Sequence, residues 1–412
     1  MRVQLIRGAV CALFVGAFVV LAVPHHLANA QQPWTPTIEA IPTPAAVGSV
    51  EPQMTGDGTR AILSWLEPAG RRTTFKFAER TPTGWSEPRT VAAGDDFMVN
   101  AADVPSVFHL ADGTLAAHWL QQDGPDPESY KLRLSWSKDG GRTWAPPVSP
   151  HHDSKQTEHG FGSLFQTPGA GLGLVWLDGR AIPAEAPEGV GNMALRATTF
   201  GTDGKQGPEV VVDGRVCECC PTAAATTAEG VIVAYRNRSA NEVRDIYASR
   251  LVKGRWSVPT AVHNDNWRIM GCPINGPSIS ARGRDVAVAW FTAKGGTGHS
   301  FVAFSHDAGR TFGAPTRIDE ESSLGRVGIE LLDDGSAVAT WVEFAPEHSQ
   351  FSARNIAANG TAGPVVKIAE ATGTRFPRVA RAGRELLFAW TDSEGGQARV
   401  HTARAALPAS NR

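Results

Sequence analysis

The chain alternates short apolar runs with polar turns, and one kind of run recurs along almost its whole length. Each copy has five or six mainly apolar residues and ends in an aromatic side chain, which predicts a buried β-strand. Residues 60–65 and 286–290 are typical copies. The aromatic residues that end these strands are Trp65, Trp119, Trp176, Tyr235, Trp290, Trp341 and Trp390.

The spacing of these aromatic residues predicts the architecture. Consecutive members are 49 to 59 residues apart, and each interval also holds a Gly-containing turn and further short strands. A period near fifty with about four strands per unit is typical of a β-propeller. We therefore predict an all-β propeller with seven blades, or six if one repeat is absorbed elsewhere. The last unit has room for three strands, so residues 37–50 are expected to supply its fourth strand and close the ring.

The first thirty residues differ from the rest. Arg2 and Arg7 precede an apolar run at residues 8–23, and Ala28-Asn29-Ala30 follows it. This is the pattern of a secretory signal peptide cut before Gln31; the alternative is an uncleaved anchor, for which the run is short. We predict a signal peptide at 1–30, a single propeller domain at 31–412 without a membrane span, and a periplasmic or secreted location.

Composition narrows the classes of partner. The formal net charge is −2 and there is no run of basic residues, which argues against nucleic acid as a ligand. The 43 Gly and 28 Pro residues fit many short strands joined by turns.

A turn pattern occurs twice, each time after a predicted strand. Asp can accept hydrogen bonds from backbone amides of the turn, Gly adopts a positive φ, and the aromatic residue covers the turn. The first copy is Ser137, Asp139, Gly141, Thr143 and Trp144, and the second is Ser305, Asp307, Gly309, Thr311 and Phe312.

These two copies resemble the Asp-box turns of sialidase-like (BNR-repeat) β-propellers. The resemblance implies a propeller with structural turns on the outer edges of blades. It also raises the hypothesis of an exo-α-sialidase-type glycoside hydrolase, which uses three arginines, a tyrosine nucleophile and acidic partners. The early Arg-Ile-Pro-like motif of that family is missing here. The weak catalytic candidates are Asp178, Arg180, Tyr235, Arg236 and Arg238.

The cysteines form an unusual cluster. After removal of Cys11 with the signal peptide, Cys217, Cys219, Cys220 and Cys272 remain. Cys220-Pro and Cys272-Pro are 52 residues apart, about one repeat, so we expect all four thiols at one mouth of the channel. Three interpretations stay open: two disulfides, a copper or zinc site, or a redox-active C-x-x-C pair. A metal site could also recruit Met270 or His159.

Arginines recur in the loops predicted to surround the same mouth. Because guanidinium groups bind carboxylates with paired hydrogen bonds, an arginine group here predicts an anionic ligand. The alternative is a solvated rim with ordinary ion pairs. The candidate ligand-binding residues are Arg180, Arg238, Arg268, Arg326 and Arg375.

Together these patterns predict an exported, non-catalytic binding or scaffold protein with a cysteine cluster at the channel mouth. Its ligand would be a small molecule, a glycan or a metal ion. The alternatives are a sialidase-type hydrolase and a platform for a periplasmic protein partner.

Overall fold

The computed structural model describes residues 33–183, 191–345, 348–371, 376–394 and 396–408. These residues form 29 β-strands and no helix, arranged as seven sheets. The predicted seven-bladed, all-β propeller is therefore confirmed, and the six-bladed alternative is not realised. The predicted signal peptide and Arg375 lie outside the described residues. No helix in the described part of the chain is long and apolar enough to cross a bilayer.

The blades follow one another along the chain. Blade 1 contains β2 (Val50–Gly56), β3 (Ala61–Ala69), β4 (Arg72–Thr81), β5 (Gly84–Trp85) and β6 (Arg89–Gly94). Blade 2 contains β7 (Ser106–His109), β8 (Leu115–Gln122) and β9 (Tyr130–Ser137). Blade 3 contains β10 (His159–Gln166), β11 (Leu172–Asp178), β12 (Met193–Phe200) and β13 (Val210–Val216). Blade 4 contains β14 (Ala223–Thr227), β15 (Gly230–Arg236), β16 (Ile246–Val252), β17 (Arg255–Trp256) and β18 (Thr260–Ala261).

The remaining blades complete the ring. Blade 5 contains β19 (Ser278–Arg282), β20 (Asp285–Thr292), β21 (His299–Ser305) and β22 (Thr316–Arg317). Blade 6 contains β23 (Ser323–Leu331), β24 (Ala337–Glu343), β25 (Ser349–Ile356) and β26 (Val366–Ala371). Blade 7 contains β27 (Arg378–Ala382), β28 (Glu385–Glu394) and β29 (Gln397–Ala406), with β1 (Glu39–Ile41) as its outermost strand.

The N-terminal strand closes the ring as predicted. β1 runs antiparallel to β29, with Ala40 opposite Ala403. The Trp34 indole adds a hydrogen bond to the carbonyl of Ala406 at 3.0 Å. Because blade 7 thus combines both ends of the chain, opening the ring requires the loss of these contacts.

The recurring aromatic residues lie between neighbouring blades. Trp65, Trp176 and Trp290 have no exposed surface, and most of the other residues of the second strands are buried apolar side chains. Two of these tryptophans donate their indole N–H to an acid two residues later, Trp65 to Glu67 and Trp176 to Asp178, each at 2.8 Å. A buried indole needs such an acceptor, so the acid belongs to the packing of the blade.

The two repeated turns have matching hydrogen bonds. In the first, Asp139 accepts bonds from the hydroxyl of Ser137 at 2.8 Å and from the amide and hydroxyl of Thr143 at 3.0 and 2.7 Å. Gly141 has a φ of 80°, and a Cβ there would lie 2.4 Å from the ring of Phe77. The second turn repeats the hydroxyl bonds of Ser305 and Thr311 to Asp307.

The first strands of the seven blades surround a central channel. A cavity of about 710 Å³ lies along it, bordered by residues such as His118, Glu330 and Arg378. Each first strand begins at the same end of the ring, which we call the mouth. The loops that precede these strands therefore meet there.

Candidate functional site at the channel mouth

The four cysteines meet at the mouth, as the sequence predicts. Cys219 forms a disulfide with Cys272, with Cα atoms 6.1 Å apart, and thereby links the loops that precede β14 and β19. The sequence predicted that Cys220 and Cys272 occupy equivalent positions of the repeat, and this prediction is wrong by three residues. β14 begins at Ala223 and β19 at Ser278, 55 residues later, so Cys272 corresponds to Cys217 rather than to Cys220.

The other two cysteines form a buried pair. The Sγ atoms of Cys217 and Cys220 are 2.7 Å apart, and each residue is about 1% exposed. The Sγ of Cys217 is also 3.9 Å from the Sγ of Cys219.

This geometry bears on the metal hypothesis. Cys217, Cys219 and Cys220 form a group with metal-ligand spacing. Two thiolates on one tetrahedral zinc ion would, however, lie about 3.8 Å apart, given Zn–S bonds near 2.3 Å. The sulfur atoms of Cys217 and Cys220 are closer than this, at 2.7 Å. In addition, Cys219 carries no thiolate while it is bonded to Cys272. Met270 is exposed, and His159 belongs to a separate cluster. The sulfur arrangement thus fits thiol–disulfide chemistry better than tetrahedral zinc binding.

Two arginines place positive charge beside the buried thiols. Arg244 donates from Nη1 to the Sγ of Cys217 at 3.4 Å and to Glu218 at 2.7 Å. Arg236 is fully buried and donates to the carbonyls of Arg244, Asn275 and Phe291 at 2.6–2.8 Å. Burial opposes ionisation of Cys217, but the hydrogen bond with Cys220 and both guanidinium groups lower its pKa to about 7.

A second polar cluster lies in blade 3. Asp178 is fully buried, and Arg180 donates to both of its carboxylate oxygens at 2.7 and 2.6 Å. Burial opposes ionisation of Asp178, but the hydrogen bonds from Arg180 outweigh it and keep the pKa below its usual value. Arg180 also contacts Asp153 at 3.1 Å and Glu209 at 2.9 Å. Its charge is therefore shared among three carboxylates.

Two histidines complete the blade 3 cluster. His151 and His159 stack with ring centroids 3.9 Å apart, and both approach Asp153, at 3.3 and 3.0 Å. Burial and the neighbouring His159 lower the pKa of His151 to about 4, so His151 is neutral at pH 7. His151, Asp153 and His159 have spacing that could hold a metal ion. The guanidinium of Arg180, beside Asp153, opposes the entry of a cation.

Most of the other sequence candidates have partners within the protein or are buried. Arg238 pairs with Glu218 at 2.8 Å and with Glu242 at 3.0 Å. Tyr235 lies in the core between blades and donates its hydroxyl to Asp213 at 2.7 Å, so it does not face the mouth. Arg268 is exposed, in the loop before β19. Asp178, Arg180, Tyr235, Arg236 and Arg238 thus have structural partners rather than a free common face.

Two arginines at the mouth have a different environment. The guanidinium groups of Arg326 and Arg378 lie 4.1 and 5.8 Å from the ring of Phe376. Burial lowers the pKa of Arg326. Burial and the like charge of Arg326 lower the pKa of Arg378 to about 10, against the opposing effect of Glu51. Two neighbouring cations in a partly buried channel create a positive potential at this point.

Sequence reasoning named Arg326 but missed Arg378, because Arg378 looks like an ordinary residue in a strand. It also missed Asp103, which borders the same cavity. Burial and the nearby Glu158 raise the pKa of Asp103 to about 7, although the amide of Phe161 donates to it at 2.6 Å. The raised value makes Asp103 a titrating group near neutral pH.

No protein-family model and no curated protein sequence matches the chain. Solved structures do match it. Polysaccharide lyase Uly1 aligns with a TM-score of 0.55 at 9% identity, over 88% of this chain and 91% of the lyase. An α-L-arabinanase from Penicillium chrysogenum has a TM-score of 0.47 at 12% identity, over 91% and 98%. A mutant NanB sialidase from Streptococcus pneumoniae has 0.47 at 8%, over 84% and 83%. At these identities the likeness shows the propeller fold alone.

Proposed function

We propose that this protein binds a carboxylate-bearing ligand at the mouth of its channel, between Arg326 and Arg378. The observation that carries the proposal is the pair of guanidinium groups beside the ring of Phe376. Burial and, after it, the like charge of Arg326 lower the pKa of Arg378. Arg180, Arg238 and Arg244 pair with carboxylates of the protein, whereas Glu51 is the carboxylate whose charge acts on Arg378.

An anion between the two groups would relieve their mutual repulsion. A carboxylate can accept parallel N–H bonds from one guanidinium and interact with the second. Arg326 also donates to the carbonyl of Ile274, and its backbone amide donates to Asn275 at 2.9 Å, so its orientation is set before a ligand arrives. Preorganised donors bind more tightly because less side-chain entropy is lost. An acidic sugar is the ligand class suggested by the sialidase-like turns.

Calorimetric titration tests this proposal. Sialic acid and glucuronic acid serve as probes, with glucose as the neutral comparison. We expect binding of at least one acid, weakened about tenfold or more in Arg326→Gln and in Arg378→Gln, which corresponds to about 1.4 kcal/mol. The matched control is Arg284→Gln, which should leave binding unchanged because Arg284 forms an exposed ion pair with Glu229. Equal binding by all four proteins, or equal binding of glucose, contradicts the proposal.

A hydrolase acting in the same channel is the second proposal, and Asp103, which borders the channel cavity, supports it. A carboxyl group with a pKa near 7 can donate a proton to a leaving group at neutral pH. Release of the chromophore from a nitrophenyl sialoside, lost in Asp103→Asn, would support this activity. Release that persists in Asp103→Asn would exclude Asp103 as the acid. Export to the periplasm and docking of a protein partner remain predictions from the sequence.

A further inference from the structure

The four sulfur atoms form a path from the interior to the surface. Cys217 and Cys220 are buried, Cys219 is partly buried, and Cys272 is exposed. The path runs 2.7 Å from Cys220 to Cys217, then 3.9 Å to Cys219, and ends through the disulfide at Cys272. The 3.9 Å step is longer, by about 0.4 Å, than the upper end of the about 3–3.5 Å range of a near-attack arrangement.

The surroundings assign different roles to the two buried thiols. Against the effect of burial, the hydrogen bond with Cys220 and the charges of Arg236 and Arg244 bring the pKa of Cys217 to about 7. Burial and the neighbouring Cys217 raise the pKa of Cys220 well above its usual value. Cys217 therefore ionises first and is the better nucleophile at neutral pH. A neutral disulfide gains little from two adjacent guanidinium groups, whereas a thiolate is stabilised by them.

We infer that the four cysteines form a thiol–disulfide exchange site, in which the buried Cys217–Cys220 dithiol reduces an external disulfide through Cys219 and Cys272. The reaction goes beyond binding of a carboxylate at Arg326 and Arg378, and it involves different atoms. Its substrate is identified by chemistry alone, as a disulfide that can reach the exposed Cys272.

The electrons balance over two internal steps. The Cys217 thiolate attacks the Sγ of Cys219; the Cys217–Cys219 bond forms, the Cys219–Cys272 bond breaks, and Cys272 leaves as a thiolate. Cys220 then loses its proton and attacks Cys217; the Cys217–Cys220 bond forms and Cys219 leaves as a thiolate. The disulfide has moved inward, and two thiols are now at the surface.

The external step restores the surface disulfide. The Cys272 thiolate attacks the external disulfide and forms a mixed disulfide, which releases one thiolate of the substrate. Cys219 attacks Cys272 in that mixed disulfide, re-forms the Cys219–Cys272 bond and releases the second thiolate. In total the buried dithiol loses two electrons and two protons, and the external disulfide gains them.

Oxidised glutathione serves as the probe disulfide. The protein is fully reduced, desalted under argon and mixed with excess oxidised glutathione at pH 7.5. Samples are quenched in acid at intervals, alkylated and mapped by mass spectrometry. In the wild type we expect Cys217–Cys220 to form. In Cys219→Ser/Cys272→Ser its formation should be at least about tenfold slower, because oxidant cannot reach the buried pair directly. Equal rates, or no Cys217–Cys220 bond in the wild type, would overturn the inference.

A second variant keeps the test decisive if the double variant does not fold. Cys220→Ser removes the thiol that resolves the internal intermediate and keeps Cys219 and Cys272, which can still form the surface disulfide. With the same probe we expect a trapped Cys217–Cys219 bond and glutathione on Cys272. If Cys217 instead remains a thiol beside an intact Cys219–Cys272 bond, exchange between the two pairs does not occur.

Discussion

Replacement of Arg236 by Met tests whether its guanidinium joins blades 4 and 5. Arg236 lies at the end of β15 and donates to the carbonyls of Arg244, Asn275 and Phe291 at 2.6, 2.8 and 2.8 Å. Asn275 and Phe291 belong to blade 5 and to the loop before it, so two of the three bonds cross between blades. Met has a similar length and fills much of the space, but it leaves three buried carbonyls without this donor.

The expected loss follows from these contacts. Each hydrogen bond to a charged donor stabilises the fold by about 1.5–3 kcal/mol. Removal of the buried charge also removes its desolvation cost, which offsets part of the loss. We therefore expect Arg236→Met to lower the free energy of unfolding by about 3–5 kcal/mol. With an unfolding entropy near 2.1 cal/mol/K per residue, the melting temperature should fall by about 4–6 °C.

Scanning calorimetry at pH 7 measures this change. Arg284→Met is the control, because its ion pair with Glu229 is largely exposed and should contribute no more than about 1 kcal/mol. Arg236→Met should also raise the pKa of Cys217, followed by the ultraviolet absorbance of its thiolate, since Arg236 favours the ionised form. A melting temperature within about 1 °C of that of Arg284→Met would refute the bridging role.

Two further predictions concern the channel wall and the repeated turn. Burial lowers the pKa of His118 to about 4, so below pH 6.5 the unfolded chain binds a proton that the folded chain does not. The difference in free energy of unfolding between the wild type and His118→Gln, measured by denaturant melts, should therefore fall by about 2–3 kcal/mol between pH 7 and 4.5. A difference that does not change with pH contradicts this. Gly141→Ala should lower the melting temperature clearly more than Gly140→Ala. Both have positive φ, but only at Gly141 does a Cβ meet Phe77. Equal decreases in melting temperature would show that the positive φ, and not the contact with Phe77, determines the loss of stability.

The sequence predicted the ring because the blade repeat is a packing requirement. Trp65, Trp176 and Trp290 occupy equivalent positions between blades, and Tyr235 takes the same position in blade 4, so each position needs a large aromatic side chain. The same regularity misled the interpretation of Asp178. Its place after Trp176 resembled a loop residue at the mouth, but its carboxylate accepts the indole N–H and the bonds of Arg180.

The site was only partly predictable, because loops do not keep the register of strands. The gathering of the four sulfurs followed from the repeat, but the partner of Cys272 depended on loop conformations that the repeat does not specify. Arg378 and Asp103 could not be singled out from the sequence. Their importance comes from burial and from neighbouring charges, which arise only when distant blades meet.

The two proposed activities share one structural element, the loop 272–275. Cys272 begins it and is bonded to Cys219, while Ile274 and Asn275 at its other end accept the hydrogen bonds of Arg326. Reduction of the disulfide releases the loop at one end, and so removes a constraint on the groups that orient Arg326. If a carboxylate binds the oxidised form more tightly, linkage requires that the bound carboxylate make the disulfide harder to reduce by the same factor. Each tenfold difference in affinity corresponds to about 30 mV in the potential of the cysteine pair. The loop 272–275 thus provides a physical connection through which the redox state of the cysteines and the affinity of the anion site can be coupled.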